Sequence, residues 1–138
     1  MSLDMLGHLA DILLEATPGP FVGATLVRVV FHRGRGDDFE LGLKPLDCHP
    51  TEALDGFRAP RSWTALGVIA GGWAAPMDDG IRPSAHPDAM RVTNVVLMDR
   101  KGRMVGRVRY PDGSVVEGPP GYGAIVDALR YSLHVRQP

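Results

Sequence analysis

The sequence predicts a single α+β domain, an antiparallel sheet of about five to six strands with N- and C-terminal helices packed on one face. Three observations predict it. Apolar residues recur at helical spacing near the two ends, period-two alternation fills much of the middle, and Gly- and Pro-rich turns separate the alternating runs. With 138 residues, 44% hydrophobic and 22% charged, the chain matches one globular domain whose core needs no disulfide.

In the first segment Leu6, Leu9, Ala10, Leu13 and Leu14 share a helical face, with Asp4, Asp11 and Glu15 between them, which predicts a helix over residues 3–16. Ser2 suits the N-cap and Asp4 the positive end of the helix dipole, while Thr17-Pro18-Gly19-Pro20 ends the helix. Residues 21–32 are rich in β-branched side chains and apolar on both faces, as a central strand requires. After a turn at residues 33–37, Phe39, Leu41 and Leu43 alternate with Glu40, Gly42 and Lys44, predicting a half-exposed antiparallel partner.

Residues 47–60 read as a connection with a helical turn at 50–55, where Pro50 can take the first helical position. Residues 63–70 form an apolar run read as a strand, although periodicity alone leaves a short buried helix open. Residues 71–88 read as a long loop containing Pro76, Pro83 and Pro87, a place where function concentrates. A meander follows: strands at 92–98, 104–110 and 114–117, turned by Asp99-Arg100-Lys101-Gly102 and Pro111-Asp112-Gly113. Beyond Pro119, Pro120 and Gly121, a last helix aligns Tyr122, Ile125, Val126, Leu129 and Leu133. There is no internal repeat and no second domain.

In outline this order is similar to the PAS, GAF, profilin and roadblock group of sensor and scaffold folds. Residues 95–110, an apolar strand, an Asp-Arg-Lys-Gly turn and an arginine-rich return strand, resemble stretches in uncharacterised actinobacterial proteins. That resemblance covers the C-terminal half and implies no known activity. Thirteen arginines against two lysines, with abundant Ala, Gly, Val and Pro, fit a GC-rich bacterial coding sequence.

A net charge of -1 gives no reason to expect nucleic acid or an anionic membrane as partner. No apolar run approaches the roughly 20 residues of a membrane helix. Residues 1–20 hold three acids and no Lys or Arg, unlike a secretory signal, so the expected location is cytoplasmic. Cys48 is the only cysteine, which rules out an internal disulfide.

Four constellations carry chemistry. Cys48 beside His49, with His86 and Asp88 on the later loop and His32 near Asp37 and Asp38, supplies metal-ligand types, but no CxxC, HxxxH or HExxH spacing gathers them. The same His49, His86 and Asp88, with Cys48 as a nucleophile, define the alternative of a small enzyme or metal-binding protein. His86-Pro87 after Pro83-Ser84 superficially resembles the metalloprotease-like deubiquitinase motif, yet the required His-x-His is missing. Gly34-Arg35-Gly36 and Gly121-Tyr122-Gly123 are anion-loop fragments lacking the full phosphate-binding fingerprints.

The basic hairpin is the strongest surface feature. Arg103, Arg107 and Arg109 share one strand face, with Arg91, Arg100 and Lys101 nearby, a pattern able to meet a phosphorylated ligand, nucleic acid or an acidic protein, or to form an ordinary solvated face paired with the acids of neighbouring strands. Trp63 reads as core and Trp73 as a partly exposed aromatic for an interface or a ligand wall. No motif implies a cofactor. The composite expectation is a non-catalytic regulatory or accessory module that binds a protein partner or small ligand through its open sheet face and the 71–88 loop. It is expected to form a homodimer, because exposed sheet edges and apolar faces need covering.

Overall fold

The computed structural model describes residues 2–19, 21–32, 38–74, 85–118 and 123–135. Helix α1 spans Leu3–Glu15, strands β1 and β2 span Ala24–His32 and Asp38–Leu46, and the short helix α2 spans Pro50–Ala53. Then come β3 (Ala65–Ala74), β4 (Met90–Asp99), β5 (Met104–Arg109), β6 (Val115–Glu117) and helix α3 (Ala124–Ser132). All six strands form one antiparallel sheet in the order β2-β1-β3-β4-β5-β6. The α+β class and the antiparallel sheet are those the sequence predicts.

Local chemistry accounts for the elements. The Ser2 side chain accepts a hydrogen bond from the Met5 amide at 3.1 Å, capping α1. Hairpin β1–β2 pairs Val27 with Leu43 and Val29 with Leu41, so the alternation read in the sequence sets its register. Asp99 organises the β4–β5 turn: its carboxylate accepts from the Lys101 and Arg103 amides and from Arg103 Nε at 2.8 Å. Gly102 (φ 80°) supplies the left-handed residue that this turn needs.

The helices, expected together on one face, lie on opposite faces. Leu6, Leu9, Ala10, Leu13 and Leu14 of α1 pack with Val27, Val29, Ile69, Val95 and Leu97. Val126, Leu129 and Leu133 at the other end of the chain pack instead with Leu54, Leu66, Val68 and Met98. The reason lies in the strands: Leu66 through Ile69 are buried without interruption, so β3 is apolar on both sides and needs a layer on each. Each buried leucine of the α1 layer is worth about 2–5 kcal/mol against truncation to alanine.

The run at residues 63–70 is strand, and it does not stop there. β3 continues through Gly71 and Gly72 to Ala74, so residues 71–74, expected in the loop, are strand. At Gly71 a neighbouring chain segment passes too close to leave room for a side chain. A Cβ at Gly71 would stand 2.2 Å from the Phe21 carbonyl oxygen, and the Gly71 amide donates to the Gly23 carbonyl at 3.0 Å. Of the rest of the expected loop, residues 75–84 lie outside the described residues, as do the turn at 33–37 and residues 119–122.

Candidate functional site

On the α3 side of the sheet a cleft of about 920 Å³ opens between α2, α3 and the strands. Its floor is low because small residues stand side by side on neighbouring strands. Ala24 pairs with Ala70, and Val96 with Gly106, which leaves little side chain to fill the layer. Asn94, opposite Ala70 on β4, places a polar amide in this otherwise apolar floor. Leu46, Cys48, His49 and Pro50 border one side, and the first turn of α3 from Gly123 to Val126 borders another.

The two helices that frame the cleft are held differently at their ends. His49 is the N-cap of α2: its Nδ1 accepts from the Thr51 amide at 3.2 Å and lies 2.7 Å from Thr51 Oγ1. Gly123 begins α3 with φ 119° and no side-chain cap. The far end of α3 is heavily tied. Arg100 donates to the carbonyls of Leu133 (3.0 Å), Trp63 (2.9 Å), Ala59 (3.3 Å) and Pro60. Arg58 donates to the Tyr131 carbonyl at 2.9 Å and stacks 3.7 Å over the Tyr131 ring.

That arginine cluster perturbs its neighbours. Burial, and then the charge of Arg61, lower the Arg100 pKa from its ordinary value. Desolvation, followed by the charges of Arg58, Arg100 and Arg61, lowers that of His134. The geometry agrees, since Arg58 Nη1 lies 3.0 Å from His134 Nδ1 and a cation can only donate there.

The basic face singled out in the sequence turns toward α1. Arg109 donates to the Leu14 and Thr17 carbonyls, each at 2.6 Å, and closes the C-terminal end of α1. Arg107 pairs with Asp11 at 3.1 Å, and Arg103 with Asp99 at 2.8 Å. All three serve as clamps within the chain. Trp73 is 42% exposed, with the Arg91 guanidinium 4.6 Å from its ring centroid.

The candidate ligands are dispersed. His49 caps α2; His86 is buried and its Nδ1 accepts from the Asp88 amide at 3.0 Å; His32 pairs with Glu40 at 3.4 Å. Among the described residues no three His, Cys, Asp or Glu side chains are gathered where they could hold a metal. Of the residues weighed as reactive, Cys48 and His49 border the cleft. The lining missed in the sequence is Ala24, Ala70, Asn94, Val96 and Gly106. Asn94, polar within an apolar strand, was the available signal.

No protein-family model, curated protein or solved structure matches the chain. Among the described residues no helix is long and apolar enough to cross a membrane.

Proposed function

We propose that this chain is a non-catalytic accessory or regulatory module that takes an apolar small molecule into the cleft between α2, α3 and the sheet. One observation carries the reading. The cleft measures about 920 Å³ over a floor of Ala, Val and Gly with Asn94 as its polar group, within the roughly 300–1,000 Å³ of small-molecule sites. Apolar walls supply affinity by burial, and a few fixed polar groups orient the ligand. A cytoplasmic location and self-association belong to the same reading.

Filling the cleft tests it. N-phenyl-1-naphthylamine, an apolar fluorophore dark in water, is expected to bind saturably at one site per chain. Ala70→Trp, which puts an indole over the floor, is expected to abolish that binding while the thermal midpoint stays near wild type. Absence of saturable binding by the wild type, or undiminished binding by a folded Ala70→Trp protein, rejects the proposal.

The second reading, a small enzyme or metal protein built on His49, His86 and Asp88, has in its favour only Cys48 and His49 at the cleft border, His86 and Asp88 lying outside the cleft lining. Elemental analysis decides it: stoichiometric zinc, manganese or iron that is lost in His86→Ala favours this reading over the binding module.

A further inference from the structure

The free edge of β2 is complementary to itself. No strand pairs with its outer side among the described residues, and at nine residues it is three times the length of β6 at the opposite edge. The hydrogen-bonding phase of that edge follows from β1. The Val29 carbonyl accepts from the Thr64 amide and the Phe31 amide donates to Thr64 Oγ1, so odd-numbered residues of β1 face β3. Its even-numbered residues therefore face β2, where Arg28 meets Gly42 and Leu26 meets Lys44. By alternation, Phe39, Leu41, Leu43 and Pro45 direct their backbone groups outward. Pro45, lacking an N–H, falls in the phase where it costs the sheet no internal bond.

Leu41 and Leu43 also expose their side chains, at 36% and 56%. They lie on the sheet face that α1 covers, but α1 sits over β4 and β5 and leaves them open.

We propose that two copies of this chain associate by antiparallel pairing of β2 with β2 about a two-fold axis at Gly42, joining two six-stranded sheets into one. This is the register that overlaps all nine residues of Asp38–Leu46; Pro45, opposite Phe39 of the second copy, has no N–H, so that pair makes one backbone bond. It sets Leu41 against Leu43 of the second copy, both in the outward phase, so each pair exchanges two backbone bonds. On the other face it sets Glu40 against Lys44 of the second copy, twice by symmetry. Glu40 already lies 3.5 Å from Arg28 and 3.4 Å from His32, both exposed, so Lys44 joins a network. Because the interface is isologous it closes after two copies. The proposal does not rest on the cleft.

Charge reversal tests both the edge and the register. Wild-type protein in sedimentation equilibrium is expected to reach twice the 14.9 kDa chain mass. Lys44→Glu alone, and Glu40→Lys alone, put like charges opposite each other and are expected to raise the dimer Kd by about tenfold or more, two pairs being affected at once. Mixing the two variants in equal amounts restores both Glu–Lys contacts and is expected to give a heterodimer near wild-type affinity. Leu43→Pro removes an outward N–H without touching the β1 ladder, and is expected to give a folded monomer. A wild type monomeric at millimolar concentration overturns the proposal. So does a dimer indifferent to Leu43→Pro, or a mixture no tighter than its parents.

Discussion

Arg109 of β5 reaches across the sheet face to cap the last turn of α1, its Nη1 2.6 Å from the Leu14 carbonyl oxygen. A second nitrogen takes the Thr17 carbonyl, so one guanidinium holds two carbonyls where the chain leaves the helix; the Leu14 carbonyl also accepts from the Thr17 amide at 3.2 Å. Its positive charge also sits at the negative end of the α1 dipole.

Removing this clamp is expected to destabilise the fold. Arg109→Ala should cost about 2 kcal/mol in urea denaturation, the range for a hydrogen-bonded charged group. Arg109→Lys retains the charge but has no fork to span both carbonyls, and should recover only part of the loss. Equal stability of wild type and Arg109→Ala contradicts the clamp.

Arg100 does the corresponding work on the opposite face, gathering carbonyls from Ala59, Pro60, Trp63 and Leu133. Arg100→Met should cost at least about 2 kcal/mol because several acceptors lose their donor together. It should also weaken N-phenyl-1-naphthylamine binding, since α3 forms a wall of the cleft. A variant that loses stability but binds the probe at full affinity separates the two roles.

Cys48 is half-buried at the cleft border. Its alkylation by iodoacetamide is expected to slow in proportion to probe occupancy, and to slow permanently in Ala70→Trp. Labelling unaffected by either would place the bound probe elsewhere.

His134 makes stability depend on pH. Its pKa in the folded chain is lowered, so the unfolded chain binds the extra proton more readily. The stabilisation is complete above the unfolded value of about 6.5 and is lost as pH falls through that value toward the folded one. The urea midpoint should therefore drop as pH falls below about 6.5, and His134→Asn should flatten that drop. Asparagine is chosen because position 134 has φ 59°, a left-handed conformation that Asn tolerates.

Much of the fold was legible because its signals are local. The apolar periods of residues 6–14 and 39–43 translate directly into α1 and the β1–β2 hairpin. The placement of the helices was less legible, since an apolar stripe on α3 shows that a face is buried without saying against which side. The clue was the unbroken run Ala65 to Ile69, apolar in both phases, which requires two covering layers. The cleft was hidden for a different reason: it is made of missing volume. Ala24, Ala70 and Gly106 are ordinary residues until the register sets them side by side. The arginines show in the sequence only as a basic face, because the carbonyls that absorb their charge at Leu14, Thr17 and Leu133 belong to distant segments.

The unequal ends of α3 have a mechanical consequence. Arg58 and Arg100 rivet the residues around Leu133, while among the described residues the Gly123 end has no side-chain cap hydrogen bond. Any movement of α3 is therefore expected to pivot at the C-terminal turn and to be largest beside Ile125. Bulkier guests should be accommodated at that end first, giving tolerance for size along one direction and strict limits near the pivot.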